Sequence, residues 1–221
     1  MRRITLLTDF GTADGYVAAM KGVIASIAPE AIIDDASHDI PPGDVVAASH
    51  ALERYWDLYP PGTVHVVVVD PGVGSARRAI AAEAEGRYFV APDNGVLSPV
   101  FDAAGTSIHA LEDAAFRRPE VSSTFHGRDV FAPAAAHLAR GAPIARLGRP
   151  IGDPVRLEAP AAVRDEAGVH GRVVHVDRFG NLITNIPGEW VEHAAEVLVA
   201  GRSVGPIRRI YADVSPGELL A

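Results

Sequence analysis

The sequence predicts an α/β protein in which a mainly parallel sheet is followed by a small all-β unit. Three observations predict it. Apolar runs of strand character alternate with segments of helical period along the N-terminal part of the chain. One run, Val64 to Val69, is continuous and largely β-branched, as in a strand buried on both faces of a parallel sheet. Beyond residue 168 the rhythm changes to short strands joined by glycine-containing turns.

The elements follow in order. Arg3 to Asp9 reads as a buried strand that ends in an acid. Asp14 to Ala28 reads as a helix, with Tyr16, Met20, Val23, Ile24 and Ile27 at helical spacing. Ile32 to Asp35 is a short second strand. Gly43 to Leu58 reads as one helix whose shared face holds Val45, Ser49, Leu52, Tyr55 and Trp56, and Pro60-Pro61 stops it. Val64 to Val69 is broken sharply by Asp70-Pro-Gly. Strands are expected at Ala79 to Glu83, Arg87 to Ala91 and Ser107 to Leu111, with a short helix after Pro92-Asp93-Asn94-Gly95, to about Ala103. Arg128 to Arg140 reads as a helix closed by Gly141. Residues 141 to 168 are rich in Pro, Gly and Ala and read as a linker. The expected domains are therefore 1–150 and 165–221, the latter with strands at Gly171 to Asp177, Asn181 to Ile186, Ala195 to Ala200 and Pro206 to Val214, barrel-like in outline.

Bulk properties narrow the function classes. Hydrophobic residues make up 48% of the 221 and charged residues 22%, enough apolar material for a packed core. A net charge of −8 argues against a general nucleic-acid binder, whose phosphate contacts need a basic face. The chain has no cysteine, which excludes disulfides and thiolate metal sites. No apolar run reaches membrane-spanning length, and the chain opens directly into a strand, so a cytoplasmic protein is expected. The nine histidines are dispersed and no metal-ligand spacing appears, so no metal or other cofactor is expected.

Polar residues cluster where the strands end. Asp9, Asp34, Asp35 and Asp70 lie at the carboxyl ends of predicted parallel strands, where ligands bind in open α/β sheets. Each could instead cap a turn or a helix. Asp70-Pro-Gly-Val-Gly-Ser is not a phosphate-binding loop, since no Gly-Lys-Ser/Thr follows. Arg77 and Arg78 lie just beyond it; one can fold back toward Asp70 while the other stays solvated. Thr124-Phe125-His126-Gly127-Arg128-Asp129 is the densest polar cluster, at the start of a helix, where His126 could act as acid or base. Asp177-Arg-Phe-Gly-Asn181 joins two strands and could equally be a turn or a wall for a heterocycle.

Five segments taken together resemble one family: TDFGTADGYVAAMKG from Thr8, VDPGVGSARRAI from Val69, APDNGVLS from Ala91, STFHGRDVFAP from Ser123 and VDRFGNLITNI from Val176. Their order and spacing are similar to the S-adenosylmethionine hydrolases that form adenosine, the SAM hydroxide adenosyltransferases, which are relatives of fluorinase and chlorinase. The resemblance implies an N-terminal α/β domain, a C-terminal β-barrel, and a homotrimer with S-adenosylmethionine held between subunits. It implies a catalytic trio of Asp70, Arg77 and His126. It further implies Asp9 for the ribose hydroxyls, Thr124 and Phe125 for the ligand wall, Asp177 for the methionine ammonium, and Phe179 and Asn181 for the adenine side. The family continues past the point where this chain stops, at Gly217-Glu-Leu-Leu-Ala221, so a truncated β domain is expected.

Two other readings compete. One is a halogenase of the same superfamily, disfavoured by His126 beside Gly127-Arg128-Asp129 and by the absence of an added loop between Ala91 and Thr124. The other is a nucleoside-binding protein without turnover, disfavoured by the complete trio and favoured by the expected truncation of the β domain.

Overall fold

The computed structural model describes residues 2–158, 161–192, 194–215 and 217–221. They form two compact units, Met1–Glu158 and Ala159–Ala221. The first is built on a six-stranded sheet ordered β2-β1-β3-β5-β4-β6, where β1 is Arg3–Thr8, β2 Ile32–Ser37, β3 Val64–Val68, β4 Ala79–Ala84, β5 Arg87–Pro92 and β6 Ser107–Ala110. β2, β1, β3 and β5 run parallel. β4 runs antiparallel to both of its neighbours. The β4–β5 hairpin closes through Glu85 and Gly86, both at positive φ (49° and 73°), the turn form whose twist matches the strands it joins.

Alternation along β1 divides the core. Ile4 and Leu6 face one side with Val64, Val66 and Val68, and there helix α1 (Tyr16–Ile27) packs on helix α3 (Ala132–Ala139). Leu7 faces the other side with Val67 and Val69, against helix α2 (Val45–Glu53), Leu97 and Phe101. The chain leaves β1 through α1 to reach β2, then crosses back through α2 to β3 on the far side of β1. The winding direction thus reverses between the carboxyl ends of β1 and β3, which opens a crevice there.

Several elements differ from the sequence expectation. The second helix stops at Glu53, and Trp56–Leu58 forms a separate 3-10 turn. The break lets Tyr55 reach Thr5 (3.4 Å) while Trp56 packs edge-on against Phe89. The short helix expected up to Ala103 is only a 3-10 turn, Ser98–Val100. The third helix begins with a wide π turn, Gly127–Phe131, in which the Ala132 N–H bonds the Gly127 carbonyl.

Residues 141–158 are not a linker. Ile144, Leu147 and Ile151 are buried, and Arg78 binds the Asp153 carboxylate (2.8 Å) and carbonyl (2.6 Å). Residues 159 and 160, inside the same stretch, lie outside the described residues.

The second unit is all-β. Its antiparallel pairs are β7 (Val163–Asp165) with β8 (Gly168–His170), β9 (Val173–Val176) with β10 (Leu182–Thr184), and β11 (Val197–Val199) with β12 (Arg202–Gly205). The expected strand at Pro206 to Val214 does not form: the strand lies earlier, as β12, and the stretch contains a 3-10 turn, Tyr211–Asp213. The reason is local: Ala200 (φ 49°) and Gly201 (φ 78°) make a two-residue turn that pairs Val199 directly with Arg202.

Candidate active site

The crevice at the ends of β1 and β3 is a cavity of about 350 Å³. Its walls include Asp9, Phe10, Tyr16, Asp70, Phe125 and His126. The cavity itself is set by the sheet, and the chemistry comes from three loops that meet over it.

The first loop carries Asp9. β1 ends at Thr8, whose hydroxyl accepts the Phe10 N–H (3.3 Å) and pairs with His38 Nδ1 (2.8 Å). His38 Nε2 lies 2.9 Å from Asp35 Oδ1, and the His38 carbonyl accepts the Gly11 N–H (2.8 Å). The turn is thereby fixed before any ligand arrives. One carboxylate oxygen of Asp9 accepts the Gly43 N–H at 2.8 Å. Asp34 and Asp35 do not line the cavity; they pair with Arg3 and with Lys21 and His38.

The second loop follows β3. Asp70-Pro-Gly starts a series of tight turns: Val73 N–H to Asp70 O (3.2 Å), then Ser75 N–H to Gly72 O (3.1 Å). These bring Arg77 back over the strand end. Its Nε donates to Asp70 Oδ1 (3.0 Å) and its Nη2 to Asp70 Oδ2, a bidentate pair with side chains only 11% and 5% exposed. The guanidinium also lies over the Phe131 ring at 5.4 Å. Arg78 stays partly exposed and is ion-paired: its Nε binds Asp93 at 2.7 Å and its Nη1 holds Asp153.

The third loop brings His126, the cap of the π turn. Arg77 Nη2 lies 2.7 Å from His126 Nδ1. A guanidinium only donates, so His126 Nδ1 is the acceptor and the neutral ring carries its proton on Nε2. Burial, reinforced by the Arg77 charge, holds the imidazole below its ordinary pKa. The loops are pressed together at Gly74 (φ 77°), where a Cβ would sit 2.4 Å from the Ser123 carbonyl oxygen. Gly127 is tight to a lesser degree, its missing Cβ lying 3.2 Å from the side-chain atoms Met20 Sδ and Phe10 Cε2.

Phe125 stands edge-on to Phe10 (5.9 Å) and Tyr16 (5.2 Å), with the Arg128 guanidinium 4.9 Å from its centre. Thr124 is held by Ser122 Oγ, which accepts its N–H at 3.2 Å. Asp129 is fully buried and does not reach the cavity. It accepts from Arg128 (2.7 and 2.9 Å), Arg118 (3.3 Å) and the Ser122 N–H (2.9 Å). Burial alone would raise its pKa, and these bonds outweigh it and hold the carboxyl below its ordinary value.

The structure therefore brings Asp70, Arg77, His126, Asp9, Thr124 and Phe125 to one face. Phe10 and Tyr16 join them, though neither was among the expected site residues. Tyr16 fitted the helical period of the core, yet it is 50% exposed.

Asp177, Phe179 and Asn181 belong to the second unit, at the tip of the β9–β10 hairpin. Asp177 Oδ1 accepts the Phe179 and Asn181 N–H groups (both 2.9 Å), and its Oδ2 accepts from the Asn181 amide (2.7 Å). Gly180 takes φ 89°, and Phe179 projects 90% exposed.

Comparison with known proteins shows one family, with proteins named fluorinase as more distant relatives at 30–32% identity. The profile of the SAM hydroxide adenosyltransferase N-terminal domain matches residues 4–148, and that of the C-terminal domain matches 171–221. The chain is 42% identical over 222 residues to a protein of Salinispora tropica named (R)-S-adenosyl-L-methionine hydrolase, covering 98% of this chain and 84% of that one. It is 40% identical to a protein of the same name from Thermus thermophilus, covering 100% and 88%. A crystal structure of an uncharacterized conserved protein from Thermotoga maritima superposes with a TM-score of 0.91 at 40% identity, covering 98% of this chain and 87% of that chain.

Proposed function

The chain belongs to the SAM hydroxide adenosyltransferase family, and on that premise we propose that it hydrolyses S-adenosyl-L-methionine to adenosine and L-methionine, with Asp70, Arg77 and His126 preparing the attacking water. The observation that carries the residue assignment is the continuous hydrogen-bonded array Asp70–Arg77–His126 beside one cavity.

The chemistry needs little else. A sulfonium leaves as a neutral thioether, so the C5′–S electron pair goes to sulfur without an acid or a Lewis acid. The oxygen of water forms the new bond to C5′, and a proton is released. Water is a poor nucleophile at neutral pH, so the site must favour its deprotonated form at the moment of attack. Arg77 supplies positive charge, the Nε2–H of neutral His126 offers a donor to a developing hydroxide, and the Asp70 carboxylate accepts the departing proton. Arg77 joins the other two side chains, so one rigid unit aims the nucleophile.

Asp9, Thr124 and Phe125 line the substrate side of the same reading. Asp9 retains acceptor capacity for the ribose hydroxyls beyond its bond to Gly43. The proposal includes a homotrimer in which the 177–181 hairpin tip of another copy supplies Asp177, Phe179 and Asn181. A large exposed ring on a tip locked by its own Asp177 suits that part.

The test is product identity. Incubation with S-adenosylmethionine should release adenosine and methionine in equal amounts, without added metal and in the presence of a chelator. In ¹⁸O-water the label should enter the 5′ hydroxyl. A halogenated nucleoside, S-adenosylhomocysteine, or binding without turnover would each overturn the reading.

A further inference from the structure

The Pro92-Asp93-Asn94-Gly95 turn does not line the cavity, yet it lies where the geometry of the trio is decided. β5 sits between β3 and β4 in the sheet. β3 runs parallel to β5, and β4 runs antiparallel to it. The loop from Asp70 to Arg78, which leaves β3 and enters β4, must therefore cross over the carboxyl end of β5. That end is Pro92, followed by Asp93 and Asn94.

Each of these residues grips one end of the loop. The paired residues of β3 and β5 end at Val66 and Val90. Further along, Pro92 has no N–H to offer β3. The Asn94 side chain supplies a donor instead: its Nδ2 binds the carbonyl of buried Val69 at 2.9 Å, one residue before Asp70. Its Oδ1 accepts the Val96 N–H (3.2 Å), which fixes the amide's orientation.

On the other flank, the Asp93 N–H binds the Arg78 carbonyl at 2.9 Å, one residue after Arg77. The same carbonyl accepts Arg77 Nη1 (3.4 Å). The Asp93 carboxylate is 1% exposed and holds Arg78 Nε (2.7 Å) and the Val155 N–H (2.8 Å). The Asn94 side chain and the Asp93 N–H thus set the span between the backbone just before Asp70 and the backbone just after Arg77, and the Asp93 carboxylate anchors the Arg78 side chain beside it.

We propose that Asp93 and Asn94 are positioning residues of the reaction, holding the Asp70–Arg77 pair in register with His126. They act through the loop and touch no substrate. The inference rests on the proposed hydrolase reading for its kinetic consequence, while its structural consequence at His126 is independent of turnover.

Asn94→Asp keeps the shape and removes the donor to Val69; Asn94→Ala removes both; Asp93→Asn weakens the hold on Arg78. Each, measured per folded molecule, should lower kcat by about 10- to 100-fold, the scale expected when reacting groups are misplaced. KM for S-adenosylmethionine should change by less than about threefold, because binding contacts are retained. Combined with His126→Ala, Asn94→Asp should add little further loss. The ¹⁵N resonances of the His126 ring should move as the Arg77 contact to Nδ1 loosens, and the ring's pKa should rise toward its ordinary value.

A lowered melting temperature with unchanged kcat and unchanged His126 resonances in all three variants would overturn the proposal, leaving a merely structural turn. A KM effect with kcat retained would overturn it as well. Wild-type protein that does not turn over S-adenosylmethionine, but whose His126 resonances shift in Asn94→Asp, would defeat the hydrolase reading while supporting the positioning role.

Discussion

At the scale of single residues, burial and a neighbouring arginine lower the pKa of two histidines, with consequences for catalysis at one and for stability at the other. His126 is held below its ordinary pKa by burial and by Arg77, so it is neutral at pH 7 with Nδ1 already engaged. Activity should therefore rise with pH through a value below 6.5, the ordinary imidazole pKa, and then level off; a kcat/KM profile against pH reads this directly. Asp70→Ala and His126→Ala should each lose on the order of a hundredfold in rate. The double variant should be only slightly slower than either, since residues acting as a unit are non-additive. Fully additive losses would show that they act separately. His65 lies outside the site, enclosed by Tyr55, Tyr59 and Phe89 and bonded through Nδ1 to Thr5 at 2.9 Å. Burial, then the Arg87 charge, pushes it down to about 3. Its unfolded value is near 6.5. Above that pH neither state is protonated and the full stability is present. As pH falls from 6.5 toward 3 the unfolded chain takes up a proton that the folded chain refuses, so stability is lost, by on the order of a few kcal/mol in total. A plot of melting temperature against pH should show a shallower acid limb for His65→Phe than for the parent.

At the scale of elements, the site depends on loops of different origin meeting at close range. Gly74 is the point of contact, with positive φ and no room for a Cβ against Ser123. The Gly74→Ala variant should lose about 1–3 kcal/mol of stability and lose activity out of proportion to that change, because relief of the clash separates Asp70 and Arg77 from His126. Thermal melting and turnover per folded molecule check this; a variant equal to the parent in both would show that the loops are not pressed together. The π turn serves the same end. Its extra residue sets His126 ahead of a helix whose Ala132–Ala139 face is almost wholly buried against the sheet.

At the scale of the whole molecule, the reaction is proposed to draw on both units through different copies of the chain. Asp177→Ala and Asp70→Ala chains, each inactive as a homo-oligomer, should recover partial activity when mixed and reassembled, since some sites then receive an intact hairpin tip and an intact trio. Light scattering alongside the assay separates the outcomes: a monomer with full activity would contradict shared sites. Among the described residues no helix is long and apolar enough to cross a membrane.

The amino-acid sequence determined the layered α/β unit, the strand-end position of Asp9 and Asp70, and the change to short antiparallel strands. Each follows from periodicity and turn chemistry acting over neighbouring residues. It also marked the Thr124-to-Asp129 cluster, though not the division of labour within it. Asp129 turned into the buried hub for Arg118, Arg128 and Ser122, whereas His126 met Arg77 across 49 residues of chain. The fate of Arg78, the packing of residues 141–158 and the exposure of Tyr16 were likewise decided by tertiary structure. The physical reason is common to all of them. Local pattern states which face of an element is apolar, but hydrogen bonds between side chains far apart in sequence exist only once the β3–β5–β4 order has forced the 70–78 loop across the carboxyl end of β5 and against the 123–126 loop.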